Sequence, residues 1–173
     1  MSMLFSPEYA ELCKARHIEK PGWGTGPALS LPDIFDFLRK YRCDEITDYG
    51  CGKAMVSRIV NQTIYRWQNY DPFVAQYAAA PVPKNYLICC DVLEHIEPEK
   101  LDAVLDHIAH LIKQVGLLVV CTEPARETFP DGTNLHLIVE DYAWWHAKLA
   151  EKFTVVATRK GSTYCNYEVI PKR

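Results

Sequence analysis

The sequence predicts an α/β fold built on a mostly parallel sheet, and three patterns lead there. Short apolar or β-branched runs alternate with amphipathic stretches from residue 42 onward. Residues 86–90 and 117–121 are apolar at successive positions, as in strands covered on both faces. Residues 153–158 and 163–170 flank Lys160-Gly161-Ser162 and read as an antiparallel terminal hairpin.

Taken in order, residues 1–41 are expected to form a helical segment or lid, and residues 42–173 the core of a single domain. The first thirty residues are mixed in pattern and close on a turn-rich stretch, Pro21-Gly22-Trp23-Gly24-Thr25-Gly26-Pro27. Glycines there would let Trp23 and the nearby His17 close over a ligand. Ser30 and Pro32 mark a helix start, with Ile34, Phe35, Leu38 and Tyr41 expected inside. Residues 45–48 read as a strand and 53–60 as a helix with Met55, Val56, Ile59 and Val60 inward. The aromatic and β-branched run 64–70 is the next strand. Residues 73–80 leave room for one short helix before the Pro81-Val82-Pro83 link. Strand 86–90 then feeds a helix over 97–113, where Leu101, Val104, Leu105, Ile108 and Ile112 recur at helical spacing. Strand 117–121 and a helix over 139–152 lead into the hairpin.

With 173 residues, nearly half of them hydrophobic, the chain can bury a substantial core. A formal charge of −3 with scattered Lys and Arg gives no basic stripe, so a nucleic-acid partner is not expected. Seven cysteines, an odd number without a CxxC spacing, read as buried thiols rather than a disulfide framework or zinc site. No charged segment followed by an apolar one opens the chain, and no apolar run could span a bilayer. The expectation is a soluble cytoplasmic protein without a membrane partner.

The most informative segment is Asp48-Tyr49-Gly50-Cys51-Gly52-Lys53-Ala54, passing from strand to helix. Gly50 and Gly52 permit a tight turn and close approach of main chain to a ligand, and the helix start supplies unpaired N–H groups. Asp48 can accept from a cationic amino group. Asp71, nineteen positions after Gly52, ends the next strand, where a carboxylate can take both hydroxyls of a ribose. A dinucleotide fingerprint would need a third glycine at the position of Met55, which argues against nicotinamide.

Asp48-x-Gly50-x-Gly52 resembles the first motif of the class I S-adenosylmethionine (SAM)-dependent methyltransferases, and Asp71 the acidic residue of their second strand. Asp91-Val92-Leu93-Glu94-His95-Ile96 is similar to the segment after their fourth strand. The resemblance covers roughly residues 45–170 and implies a Rossmann-like methyltransferase sandwich. It implies SAM as cofactor and S-adenosylhomocysteine (SAH) as product, held by Asp48, Gly50, Cys51, Gly52, Asp71, Pro72, Asp91, Val92 and Leu93. The family's usual third glycine is Ala54 here. Only fourteen residues separate Asp71 from Tyr86, so the third-strand region should be shortened or absent, and no adenine-contacting carboxylate is carried over.

Transfer from a sulfonium needs chiefly an aligned nucleophile, and a base only if the acceptor loses a proton. His95 is the expected base, with Glu94 and His136 beside it. Asp91-x-x-Glu94-His95 also resembles the E-x-x-E-H metal-binding segment of certain O-methyltransferases, including ubiquinone-pathway enzymes and small-RNA 3′-end 2′-O-methyltransferases. That likeness implies a divalent cation on Asp91, Glu94, His95 and His136 as the alternative to a metal-free site, which is the expectation. Downstream, the pattern 130–136 followed by Trp144-Trp145 looks like a group of short bacterial and phage methyltransferases. Arg126 suits an anionic group, Asn134 or His136 a hydroxyl, and Trp23 the acceptor or the lid. Methyl transfer to an O or N atom of a small polar molecule (a sugar, nucleotide or metabolite) is the function expected. The alternatives are metal-assisted transfer to a nucleic-acid end, and SAM binding without turnover.

Overall fold

The computed structural model describes residues 4–25, 30–60 and 64–173. Gly26 and Pro27 of the turn-rich stretch lie outside the described residues. The six strands are β1 (Glu45–Tyr49), β2 (Arg66–Tyr70), β3 (Lys84–Cys90), β4 (Ile112–Cys121), β5 (Phe153–Lys160) and β6 (Tyr164–Pro171). They form one sheet in the order β2-β1-β3-β4-β6-β5. Pairings from β2 to β4 are parallel, and β6 runs antiparallel to both β4 and β5. The expected mostly parallel sheet with an antiparallel terminal hairpin is therefore present.

Alternation along the strands builds two apolar layers. Ile88, Leu117 and Val119 point to one face, where α2 (Leu31–Tyr41) and α3 (Met55–Ile59) bring Ile34, Phe37, Leu38, Val56 and Val60. Leu87, Cys89, Leu118 and Val120 point to the other. There α4 (Leu101–Leu111) and α5 (Tyr142–Lys152) supply Leu105, Ile108, Trp145 and Leu149. Burial on both faces is why these strands are apolar at every position.

Several boundaries differ from the sequence reading. In α2 the buried stripe is Ile34, Phe37 and Leu38, whereas Phe35 is 45% exposed, a quarter-turn off that face. Ile59 is likewise exposed, while Val56 and Val60 point inward. α4 begins at Leu101 because residues 98–100 make a separate 3-10 turn. It ends at Leu111, and the chain enters β4 without a loop, so the strand has ten residues rather than five. Gly116 lies close against Ile112 in this stretch: a Cβ there would lie 2.5 Å from Ile112 Cδ1. α5 starts at Tyr142, where the Asp141 side chain accepts the Trp144 N–H, not at Val139. In place of a helix over 73–80 there is one 3-10 turn, Ala75–Tyr77. Among the described residues no strand flanks β2, as the short interval predicted.

α1 (Pro7–Glu19) was not distinguished in the sequence beyond a generally helical segment. Ser6 caps it by accepting the Tyr9 N–H, and Pro7 occupies its first turn. All seven cysteines are buried and free. No helix among the described residues is long and apolar enough to cross a membrane.

Candidate active site

The site lies at the carboxyl ends of β1, β2 and β3, where an open α/β sheet accepts ligands. After Tyr49 the chain reverses through Gly50 and Gly52, whose φ values are 72° and 51°. Left-handed backbone of this kind favours glycine. The Gly50 and Cys51 N–H groups both donate to the Tyr70 carbonyl, at 2.8 and 3.0 Å, tying the turn to the end of β2. A Cβ on Gly50 would lie 2.4 Å from Val92 Cγ2, so the turn and the loop after β3 are in tight contact. Ala54 also has left-handed φ, 55°, which explains what a glycine at this third position would relieve.

Asp71 sits where the sequence places it, and it has a second job. Its Oδ2 accepts the Gly52 N–H and its Oδ1 the Phe73 N–H, both at 2.9 Å. The carboxylate therefore faces the cleft and also buttresses the glycine turn. Asp48 is buried behind that turn, and its Oδ2 has no hydrogen-bond partner. Burial, reinforced by the nearby Asp71 charge, pushes its carboxyl up to about 7.

The glycine turn and Asp71 border a cleft of about 1050 Å³, open mouth included. One wall is Tyr49, Gly50, Gly52, Asp71, Pro72 and Phe73, and another is Cys90, Asp91, Val92, His95, Ile96 and Glu97. Leu4, Phe5, Tyr9, Cys13, His17 and residues 22–24 complete it from the amino-terminal side. Cys51, Leu93 and Asp48 stand behind the lining rather than on it.

The amino-terminal segment is fastened to both walls. The Ser6 N–H donates to Glu97 Oε2 at 2.8 Å, and the Tyr9 hydroxyl to the His95 carbonyl at 2.5 Å. Arg16 pairs with Glu127 at 2.6 Å and lies over the Trp23 ring, which meets His95 edge-on at 5.2 Å. On the other side, the Lys53 N–H donates to the Gly24 carbonyl at 3.0 Å, and Lys53 Nζ to the Pro21 carbonyl at 2.6 Å. His17 is half-buried with Nδ1 unpartnered, and burial lowers its pKa against the opposing pull of Asp71.

The far wall gathers Asp91, His95 and His136. Asp91 holds left-handed φ, 61°, and donates its N–H to the Val119 carbonyl. His95 Nδ1 lies 2.8 Å from the Leu135 carbonyl and His136 Nδ1 2.6 Å from that of Glu123. The two rings are nearly perpendicular, 4.7 Å apart. Burial pushes the His95 imidazole down to about 4, so it is neutral near pH 7.

The other sequence candidates are placed differently. Glu94 is fully buried, and its Oε1 accepts the Cys121 N–H at 2.6 Å. Burial, then the Asp91 charge, raises its pKa well above the usual range. It faces the interior, not the cleft. Asn134 clamps its own loop: Oδ1 accepts from Ala125 and His136 N–H groups, and Nδ2 donates to the Ala125 carbonyl. Arg126 is exposed on that loop, and neither residue lines the cleft. His136 stands behind His95. Sequence reasoning missed the aromatic wall of Phe5, Tyr9 and Phe73. Ser6-Pro7, a helix-start signal, was the one clue to its first two members.

No family model and no curated protein matches the chain. Solved structures do. One is the 1,6-didemethyltoxoflavin-N1-methyltransferase of Burkholderia thailandensis, with bound 1,6-didemethyltoxoflavin and SAH. It matches with a TM-score of 0.73 at 14% identity, over 100% of this chain and 93% of that one. The magnesium protoporphyrin IX methyltransferase of Synechocystis, with bound SAH, matches with a TM-score of 0.61 at 18% identity, over 83% of each chain. The mitomycin 7-O-methyltransferase matches with a TM-score of 0.62 at 13% identity, over 92% of this chain and 60% of that one. The chain has the class I methyltransferase fold.

Proposed function

We propose that the protein transfers a methyl group from SAM to an O or N atom of a small molecule, leaving SAH. The observation that carries this reading is one cleft joining the glycine turn, the Asp71 carboxylate and, behind the turn, the unpartnered Asp48 oxygen. The residues fit the cofactor's chemistry. Asp48 offers a charge partner to its amino group, the bare Gly50–Gly52 backbone lets it approach, and Asp71 has lone pairs left for ribose hydroxyls. Pro72, Phe73 and Val92 give its base an apolar berth, with Cys51 and Leu93 supporting the turn and the loop from behind. When bound, SAM would supply a methyl group on a positively charged sulfur.

The acceptor side is Asp91, His95 and Trp23, with His136 backing His95. The His95 imidazole, neutral with its proton on Nδ1, can take a hydrogen bond at Nε2 from an acceptor hydroxyl or amine and orient its lone pair. Glu94 is then a positioning residue, fixing the loop through the Cys121 main chain, and Asn134 shapes the loop that carries His136. Leu4, Phe5, Tyr9, Trp23 and Phe73 favour an acceptor with a planar or apolar body over a bare sugar.

Calorimetric titration of SAH into the protein tests the reading, with Asp71→Asn beside it. Asparagine keeps the size and one of the two acceptors for the turn, so it removes the charge and one N–H bond together while disturbing the turn less than alanine. Micromolar binding, weaker by about ten-fold or more (about 1.4 kcal/mol) in the variant, is expected. Folded wild-type protein that binds no SAH would sink the proposal. Binding of SAH without methyl transfer to any acceptor in a metabolite screen would favour a binding protein instead.

A further inference from the structure

We propose that a groove between α2 and the terminal hairpin is a second ligand site, for a neutral, flat molecule of nucleobase type. It has no lining residue in common with the cleft. The groove measures about 560 Å³, open mouth included, inside the range of about 300–1,000 Å³ usual for small-molecule pockets. Its floor is Leu117 of β4, Ala157 of β5 and Asn166 of β6. Alternation along β6 sends Cys165, Tyr167 and Val169 into the apolar layer under α4 and α5, and so turns Asn166 and Glu168 to the α2 face. α2 overhangs this floor with Asp33, Phe37 and Lys40, which fall on one side of the helix.

Asn166 is the residue that points to a ligand. It is 9% exposed, and among the described residues its carboxamide makes no hydrogen bond. A buried amide left without a partner costs more than a bonded one gains, and native chains rarely keep one without a use. Valine would fill the same position on the strand without that cost. The ionic groups around it are already engaged. Arg159 pairs with Asp33, and Lys40 with Glu168 at 2.6 Å, both pairs crossing from α2 to the hairpin. Asn166 stands opposite Arg159 in register and two residues before Glu168, so both pairs are close to it. Asp36 is held by Arg39 at 2.7 Å.

This arrangement sets the chemistry of the ligand. With the charges of the groove paired inside the protein, an ionic ligand would have to break a pair to gain a partner. The carboxamide carries N–H donors and a carbonyl acceptor on one planar group. Its complement is another planar edge with a donor beside an acceptor. A uracil-like ring offers one as its cyclic amide, and an adenine-like ring as its amino group and ring nitrogen. Leu117 and Phe37 add apolar surface, and the short Ala157 side chain leaves room for a ring. None of this depends on the methyltransferase reading.

The experiment is titration of isotope-labelled protein with uracil and, separately, adenine, followed through its amide chemical shifts by NMR. At least one base is expected to move residues 33–40, 157–159 and 166–168 saturably, and the two arms tell a cyclic amide from a purine. Asn166→Val should weaken that binding by about ten-fold or more, as loss of a paired donor and acceptor does. Where uracil binds, N,N′-dimethyluracil, which keeps the ring but has no donor, should show a similar loss. The proposal is overturned if neither base moves the groove residues, or if the shifts are confined to residues 49–52, 71–73 and 90–97 of the cleft. It is overturned equally if folded Asn166→Val or the dimethylated base binds as tightly as the parent, or if the variant loses SAH binding to the same extent. Circular dichroism checks the fold, and Asn166→Thr stands in for an unfolded Asn166→Val, with the same loss expected. Failure of SAH binding with a base still in the groove would remove the methyltransferase reading and leave this site standing.

Discussion

The two walls of the cleft are joined to the fold in different ways. At the glycine turn every donor is main chain and all the bonds lie within residues 50–73: the Gly50 and Cys51 N–H groups reach the Tyr70 carbonyl, and those of Gly52 and Phe73 the Asp71 carboxylate. At the far wall the joints are side chains linking distant segments, Ser6 to Glu97, Tyr9 to His95 and Arg16 to Glu127. The first kind of wall depends on residue type at fixed spacing and tolerates little change. The second spreads its stability over several moderate contacts, any one of which can be lost.

The sharpest way to break this contrast is Gly52→Ala. Its Cβ would lie 2.4 Å from the Gly24 carbonyl oxygen, and the residue has left-handed φ. A loss of about 2–4 kcal/mol in thermal or denaturant unfolding is expected, with loss of SAH binding. Gly132→Ala is the control: its φ is 89° but the space around it is open, so about 1 kcal/mol is expected. Equal losses in the two variants would show that close approach at the turn does not matter.

Asp48→Asn comes next, and its effect changes sign with the property measured. The folded-state pKa of about 7 lies above the ordinary 3.8, so the folded protein keeps a proton that the unfolded chain has already released. The stability tied to that proton is complete below about pH 4 and is lost as pH rises through 7. Up to about 4 kcal/mol is at stake. Asp48→Asn should therefore be more stable than wild type at pH 8 and nearly equal at pH 4, by unfolding curves at both. Its SAH affinity should nevertheless fall, because the charge partner for the amino group is gone. A variant less stable than wild type at pH 8 would contradict this account of the buried carboxyl.

The smallest effect is expected at the far wall. Arg16→Ala removes an ion pair whose Glu127 partner is 62% exposed, together with the stack on Trp23. About 1–2 kcal/mol is expected, much of it from lost packing. Hydrogen exchange should quicken in α1 and remain unchanged from 45 to 73. Faster exchange at the glycine turn as well would mean that the two walls share one cooperative unit.

The same contrast decides what could be read from sequence. Asp48, Gly50, Gly52 and Asp71 were legible because a strand, a turn and a second strand carry them at fixed spacing. α1 was not, since its buried positions Tyr9, Ala10, Cys13 and Arg16 include a cation and a small residue and make no apolar stripe. Glu94 and His95 are neighbours in sequence, yet the 3-10 turn they share sends one inside and the other to the cleft. Asn134 had the chemistry of a hydroxyl binder, and only the folded loop shows both ends of its amide engaged. The helical spacing carries residues 112 and 113 of β4 into the helix, because no turn residue marks the helix-to-strand junction.

The amino-terminal segment reaches Lys53 through Gly24 and Glu97 through Ser6. One continuous piece of chain thus touches both walls. Were this piece to act as the lid its glycines suggest, a molecule would enter the cleft while it is lifted and leave when it lifts again. Binding rates would then level off with rising ligand concentration at the frequency of opening, on the microsecond-to-millisecond scale of such motions. Departure of product would keep the same clock, so a change in α1 far from any reacting atom would alter throughput while leaving the chemistry as it was.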